Sequence, residues 1–130
     1  MNTTLKILTA LTASLTKDLE EGQSRLLDSI GGISIIDLDG KYIDINEKYA
    51  NDCGYSPDEL IGKNWTITVH PDDLQLAIDA YKELEHKREV FVKIRGVNKS
   101  GGLFEKTVTF IRRNDLQGKM NGHYCMMTKH

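Results

Sequence analysis

The stretch GISIIDLDGKYIDIN, residues 32–46, constrains the fold more than any other part of the chain. Two runs rich in β-branched residues flank the pair Asp39-Gly40. An Asp-Gly pair in this setting predicts a tight β-hairpin, because the central residues of such a turn must accept positive φ angles. The chain therefore builds part of its structure from antiparallel strands.

The last third of the chain carries three further strand patterns. The segments EVFVKIRGV and LFEKTVTFIRR, residues 89–97 and 103–113, alternate apolar and polar residues around the turn NKSGG. After the loop at 114–122, HYCMMTK at 123–129 has the same character. Alternation of period two predicts half-buried strands, so this region forms three strands joined by short connections.

Short helices lie between the two groups of strands. In SPDE, Ser56 can cap a helix, Pro57 suits its first position, and Glu59 completes a capping box. The segment HPDD repeats the pattern, with Pro71 as the first helical residue of a longer helix over 74–86. The order of strands and helices predicts an α+β domain with an antiparallel sheet.

The N-terminal segment predicts an amphipathic helix. Leucines recur there at steps of three and four residues, which is the stripe of a helix with one apolar face. Threonines interrupt the apolar run, and it leads into TKDLEEG, which disfavours a secretion signal. We expect residues 1–22 to be a helix that caps the sheet or mediates dimerisation, and residues 23–130 to form the folded domain.

Composition excludes several classes of protein. The 130 residues include 17 basic and 19 acidic side chains, for a net charge of −2, and the basic residues are scattered. The chain thus lacks the basic patch of a nucleic-acid-binding protein. Its two cysteines, Cys53 and Cys125, cannot form a disulfide framework, which favours a cytoplasmic location. No apolar run approaches the ~18 residues of a membrane span, and we expect no membrane contact.

Four motifs in order resemble the PAS domain, the sensory module of bacterial signalling proteins. They are GISIIDLDGKYIDIN, CGYSPDELIGKNW, HPDDL and NKSGGLF, and the resemblance covers about residues 25–128. It implies a five-stranded antiparallel sheet in the order 2-1-5-4-3, with short helices on one face. It also implies a small cavity between helices and sheet, which in some members binds haem, flavin, an organic acid or another metabolite.

The light-sensing PAS domains that form a flavin adduct need a cysteine in the stretch that reads GKNW here. This chain has Trp65 at that position, which cannot form the adduct. Two asparagines that bind the flavin in that subfamily fall at Gly96 and Lys106. The FMN adduct chemistry is therefore excluded. The chromophore-bearing cysteine of photoactive yellow protein is also missing, since residues 69–71 are Val, His and Pro.

The histidines favour structural roles. His70 with Asp72 and Asp73 marks a helix start and falls short of a metal site, which wants three or four ligands in space. Haem-binding PAS domains carry a histidine on the long helix, where this chain has His86. Its neighbours ELEHKRE are nearly all charged, so haem is not expected. His123 borders a strand without a companion.

The resemblance leaves the cavity open between two interpretations. Trp65 either fills a dry core as hydrophobic bulk or lines a ligand cavity. The residues we expect at such a cavity are large apolar side chains on strands and helix faces. They are Ile33, Ile35, Ile45, Tyr49, Leu60, Trp65, Ile78, Phe91, Phe110 and Met126. Their volume favours a small cavity or none, and the ligand, if there is one, is unknown.

Polar residues of the domain have expected structural roles. Ser56 and Pro71 start helices, and the resemblance implies a salt bridge between Glu59 and Lys99 that holds a helix against a hairpin. Arg95 and Arg112, on adjacent strands, either meet an anionic ligand or project into solvent, and the solvent interpretation is favoured.

Two functions follow from the resemblance. The first is a sensor that binds a small ligand or senses a partner. It regulates an output domain, of the histidine kinase or the diguanylate cyclase and phosphodiesterase type. The chain stops at its last strand, so we expect any output domain outside it and no enzyme within it. The alternative is a ligand-free module for protein-protein interaction. A homodimer is expected, and the interaction module could also assemble heterodimers.

Overall fold

The computed structural model describes residues 31–130, which form one sheet with helices on one of its faces. The strands are β1 (Gly32–Asp37), β2 (Tyr42–Ile45), β3 (Glu89–Val97), β4 (Leu103–Asn114) and β5 (Met120–Lys129). The α-helices are α1 (Glu47–Asp52), α2 (Pro57–Leu60) and α3 (Leu74–Lys82). Short 3-10 segments occupy Trp65–Thr68, Pro71–Asp73 and Glu83–Glu85.

The five strands are antiparallel and follow the order β2-β1-β5-β4-β3. The predicted strand order and α+β class are thereby confirmed. The first and last strands are central neighbours, paired from Gly32↔Met127 to Asp37↔Gly122. The predicted helix in residues 1–22 lies outside the described residues.

The predicted hairpin joins β1 to β2 through a longer turn than Asp39-Gly40 alone. The backbone N–H of Gly40 donates to the carbonyl of Asp37, and that of Asp37 donates to Lys41. The Asp37 carboxylate also accepts from the N–H groups of Asp39 and Lys41. Gly40 has a φ of 80°, a left-handed conformation that glycine adopts without steric cost. Aspartate at the start of the turn and glycine near its end thus fix the connection.

The helices after the hairpin begin at capped positions. The Asn46 side chain accepts from the N–H of Tyr49, which caps α1, and from the N–H of Ile33. One side chain therefore ties helix α1 to strand β1. Helix α2 begins with the predicted capping box of Ser56 and Glu59.

Charged side chains anchor these helices to the strands. Lys99 pairs with Glu59, as the resemblance implies, and connects α2 to the β3–β4 turn. The guanidinium of Arg95 makes two hydrogen bonds of 2.8 and 2.9 Å to Asp73, just before α3. Arg112 donates to the carbonyls of Leu84 and Glu85 at the other end of this helical region. Arg95 is exposed to solvent while it makes these bonds, and Arg112 is half-buried beside the end of the helical region.

The two faces of the sheet differ in what covers them. Alternate residues of β3, namely Val90, Val92 and Ile94, point into the core under the helices, whereas Phe91 points to the other side. A buried residue thus has exposed neighbours in sequence, as expected for a half-covered strand. None of the helices among residues 31–130 is long and apolar enough to cross a membrane.

Candidate functional site

A small cavity lies in the core between the sheet and the helices. Its volume is about 10 Å³, which is about the space that one water molecule requires. Strands, helix α1 and the 3-10 segment Trp65–Thr68 form its wall together. The lining residues are Ile36, Tyr49, Trp65, Thr68, Val69, Ile94, Lys106, Val108, Phe110 and Cys125.

Three hydroxyl groups form a buried network at this cavity. The hydroxyl of Tyr42 lies 2.8 Å from that of Tyr49 and 3.1 Å from that of Thr68. The Tyr49 hydroxyl also contacts the sulfur of Cys125 at 3.9 Å. Burial raises the pKa of both tyrosines well above the ordinary value, because a phenolate would lose its hydration. Both phenols are therefore neutral hydrogen-bonding groups.

Lys106 brings a basic group into the same region. Its side chain is on the core face of β4 and only 1% of the residue is exposed. The Nζ atom donates to the backbone carbonyl of Thr68 across 3.1 Å and lies 5.7 Å from the centre of the Phe104 ring. Burial lowers its pKa, since the charged form loses the most hydration.

The cysteine thiols near Lys106 are protonated. Burial raises the pKa of Cys125 to about 11 and also raises that of Cys53. The Lys106 charge acts in the opposite direction on both thiols, but burial is the larger effect. Both cysteines are free and buried, and a thiol in this state is a poor nucleophile.

Beside the cavity, aromatic rings enclose His123. The imidazole is fully buried, and its ring centre lies 4.9 Å from Tyr81, 5.3 Å from Phe110 and 6.4 Å from Trp65. Neither ring nitrogen has a hydrogen-bond partner among residues 31–130. Burial lowers the His123 pKa to about 3, so the ring is neutral at physiological pH. The residue lies within β5, whereas the sequence placed it at the border of a strand.

The structure divides the predicted cavity residues into groups. Tyr49, Trp65 and Phe110 line the cavity. Leu60 belongs to the same core, and Ile45 and Ile78 are half-buried against it.

The placement of the other four predicted residues is corrected by the structure. Ile33, Ile35, Phe91 and Met126 lie on the opposite face of the sheet, with Phe91 67% exposed. Their inward neighbours are Ser34, Ile36, Val90, Val92, Cys125 and Met127. These residues were assigned to the wrong face of their strands, because successive side chains alternate and a shift of one residue reverses the face.

The cavity does not fit a flavin. It has room for about one water molecule, and a flavin ring system is many times larger. Trp65 occupies the position of the adduct-forming cysteine and packs edge-on against Phe110. At Gly96 the Phe104 ring comes within 2.4 Å of the place where a Cβ would be. An asparagine at this position would require the ring to move.

The other cofactor interpretations also find no matching site. His86 is exposed after the last helical turn, where it cannot serve as an axial ligand in a closed haem pocket. The His70 Nδ1 atom accepts from the N–H of Asp72 and caps the helix start. Within residues 31–130, no group of three histidine, cysteine or acidic side chains is arranged to hold a metal ion.

Two residues of the site, Lys106 and His123, were missed as site candidates from the sequence. Side chains of β4 alternate between its two faces, and Lys106 lies four residues before Phe110. The pattern that predicted an inward Phe110 therefore also places Lys106 on the core face. Lysine is almost never fully buried because of its charge. The residue type therefore argued against a place on the core face, although the alternation of β4 indicated it. For His123, the sequence around it contains no residue that marks the aromatic enclosure, because Trp65, Tyr81 and Phe110 come from three other elements.

Comparisons with solved structures agree with this architecture. A PAS domain from Colwellia psychrerythraea has a TM-score of 0.72 at 21% identity, over 76% of this chain and 85% of that one. The Cycle PAS-B domain of Drosophila melanogaster, with bound ethylene glycol, has a TM-score of 0.69 at 15% identity. That match covers 76% of this chain and 99% of Cycle PAS-B. A light-oxygen-voltage domain from a study of a flavin analogue matches at 0.69 and 18%, over 82% and 84% of the two chains.

Sequence comparisons identify the family. No curated protein sequence matches the chain. The family model for the PAS fold matches residues 42–122, a segment that runs from β2 into β5 and includes the cavity residues Tyr49, Trp65 and Lys106. Together with the strand order, this match establishes that the chain belongs to the PAS domain family.

Proposed function

We propose that this PAS domain is a sensor module that binds a small molecule in the cavity and regulates an output domain or partner. The observation that carries the proposal is the buried polar wall of the cavity. Lys106 and three hydroxyl groups lie in a core that apolar side chains would fill at lower cost, because burying polar groups is unfavourable. Apolar walls with a few placed polar groups are typical of ligand sites.

The cavity wall offers a route from ligand to surface. The contact between Lys106 and the Thr68 carbonyl joins strand β4 to the 3-10 segment that carries Trp65. A ligand that binds Lys106 competes with this contact and shifts the segment relative to the strand. Alternate residues of β4 lie on opposite faces of the sheet. A displacement of the strand therefore also moves the side chains on the face opposite the helices, which we call the outer face. Such coupling requires two states with different ligand affinities.

The output in this proposal is an attached domain or a partner protein. A histidine kinase or an enzyme that makes or degrades cyclic dinucleotides is the type we expect, on the resemblance alone.

A ligand screen with two matched variants tests the proposal. We would measure thermal unfolding of the whole chain with a library of the smallest metabolites, because the cavity has room for about one water molecule before any rearrangement. Val108→Phe fills the cavity, whereas Phe91→Ser changes an exposed side chain on the opposite face. A true ligand raises the melting temperature of the natural chain and of Phe91→Ser but not of Val108→Phe. A ligand that stabilises all three chains equally binds elsewhere and contradicts the assignment of the site.

The exposed Phe91 favours a second candidate function, a module for protein-protein interaction. Phe91 pairs with Thr109, which pairs with Met126, which pairs with Ile33. These side chains form one row across the outer face of the sheet. In this case Phe91→Asp weakens a homodimer in light scattering coupled to size-exclusion chromatography, and Val108→Phe leaves it intact. A natural chain that is monomeric at 100 μM excludes the homodimer.

A further inference from the structure

Strand β3 lies at one edge of the sheet, and other parts of the chain cover only the end of that edge. In an edge strand, every second residue directs its backbone groups away from the sheet. At Arg95 both groups are occupied, because the N–H donates to the Asp73 carboxylate and the carbonyl accepts from the N–H of His70. Phe91 and Lys93 have the same parity as Arg95, and among residues 31–130 nothing bonds their outward backbone groups. An open edge of this kind can pair with a further strand.

The edge at the other side of the sheet is shorter and better covered. It belongs to β2, which has four residues, whereas β3 has nine. The N–H of Tyr42 donates to the carbonyl of Lys63, and the carbonyl of Tyr42 accepts from the N–H of Gly62. The first half of β3 is therefore the better place for an added strand.

The sequence EVFVK, from Glu89 to Lys93, is complementary to itself in the antiparallel direction. When two copies of it pair about Phe91, each Phe91 lies opposite the same residue of the other copy, and Val90 lies opposite Val92. Glu89 then lies opposite Lys93 at both ends of the pair. Aromatic pairs and pairs of opposite charge at such positions stabilise antiparallel strands. A carboxylate accepts several hydrogen bonds, so Glu89 can add this lysine to its other contacts.

The side chains of the segment are placed for this pairing. Glu89, Phe91 and Lys93 are exposed on the outer face of the sheet, and Phe91 is 67% exposed. A second copy beside β3 would continue the sheet and cover part of the Phe91 ring. The pairing is short, because β3 begins at Glu89 and its edge is covered again at Arg95.

We propose that two copies of this chain associate through the edge of β3, with the segments from Glu89 to Lys93 antiparallel about a two-fold axis at Phe91. Phe91 then exchanges two backbone hydrogen bonds with Phe91 of the second copy. The same surface of both copies forms the interface, as in most symmetric dimers. The inference does not depend on a ligand in the cavity. It places the homodimer of the second candidate function at the edge of the sheet, away from the centre of its outer face.

Charge reversal tests the register of the two strands. Lys93→Glu places acidic residues opposite each other at both ends of the pair, and Glu89→Lys does the same with basic residues. Each variant alone should dimerise at least about tenfold more weakly than the natural chain, as measured by analytical ultracentrifugation of the whole chain. An equal mixture of the two should restore the natural affinity as a heterodimer, because each glutamate then meets a lysine. Lys119→Glu, an exposed position in the β4–β5 turn, is the control and should leave the dimer unchanged.

A proline tests the backbone pairing. The N–H of Phe91 points away from β4, so Phe91→Pro removes a hydrogen bond to the second copy and none within the sheet. It should abolish the dimer, whereas Phe91→Thr, which keeps the N–H and suits a strand, should weaken it less. If the proline variant does not fold, the charge variants still decide.

Two results would overturn the inference. One is a natural chain that is monomeric, and the other is a dimer that withstands both charge reversals. A dimer that Phe91→Asp weakens, but that the mixture of Lys93→Glu and Glu89→Lys fails to restore, also overturns it. In that case contacts across the outer face hold the dimer, and the second candidate function stands.

Discussion

The Nζ atom of Lys106 donates a hydrogen bond to the backbone carbonyl of Thr68 across 3.1 Å. This contact joins the middle of the sheet to the helical segment that carries Trp65, and it lies at the wall of the cavity. It also buries a basic group where a methionine or leucine would cost less. The contact therefore links the stability of the domain to the site that we propose for its ligand.

Replacing Lys106 with methionine should stabilise the ligand-free domain. Removing a buried charge in favour of an apolar chain of similar length gains about 1–3 kcal/mol in the free energy of unfolding, less the lost hydrogen bond to Thr68. Urea unfolding at pH 7 measures the gain. A loss of more than about 2 kcal/mol would show that the hydrogen bond outweighs the cost of burial.

The same variant should change the pH dependence at high pH. Burial lowers the Lys106 pKa below its unfolded value, so the folded state disfavours the charged form. The free-energy cost of burying the charged Lys106 is absent above the unfolded pKa of about 10.4, where the lysine is neutral in both states. This cost appears as the pH falls towards the folded pKa. The advantage of Lys106→Met is therefore larger at pH 7 than at pH 10. An equal advantage at both values would contradict this account of burial.

His123 should make the domain sensitive to mild acid. Its pKa is about 3 in the folded state and about 6.5 when unfolded. The stability that it contributes is complete above pH 6.5 and is lost as the pH falls from 6.5 towards 3. Between pH 7 and pH 5 the loss is about 2 kcal/mol, in a range where carboxylates contribute little. Urea unfolding at the two pH values measures it.

His123→Phe tests the origin of that pH dependence. Phenylalanine suits the aromatic surroundings of Trp65, Tyr81 and Phe110 and cannot titrate. The loss in the free energy of unfolding between pH 7 and pH 5 should therefore be much smaller in this variant than in the natural chain. The exposed His86→Gln serves as the control and should leave it unchanged. A full pH dependence in His123→Phe would assign the effect to another group.

The two faces of the sheet should respond differently to truncation of an aromatic side chain. Phe110 is buried against Trp65 and His123, so Phe110→Ala should cost about 3–5 kcal/mol in the free energy of unfolding. Phe91 is 67% exposed, and Phe91→Ser should change it by less than about 0.5 kcal/mol. Similar losses in the two variants would contradict the assignment of faces.

Local sequence signals predicted most of the architecture. Capping by Ser56 and Glu59, the glycine turn at Gly40, and the alternation of β3 and β4 each depend on residues close together in sequence. The strand order came from the resemblance, because central pairing of β1 with β5 joins segments about 90 positions apart that share no local signal.

The site was less predictable for a related reason. The alternation along β3 separates its residues into two faces but does not say which face the helices cover, so Phe91 was assigned to the core although it lies on the other face. Lys106 followed the alternation of Phe110, but its charge argued against burial. Only the assembled core shows that Thr68 supplies an acceptor for it, and that three elements converge on His123.

The measurement that tests the account most directly is a two-dimensional NMR titration of the whole chain with the best ligand of the screen. If the cavity holds the ligand, the largest saturable shifts occur at Tyr49, Trp65, Thr68, Lys106 and Phe110 on the helix-covered face. Shifts centred on Phe91, Thr109 and Met126, with the cavity residues unchanged, would contradict it and favour the interaction module.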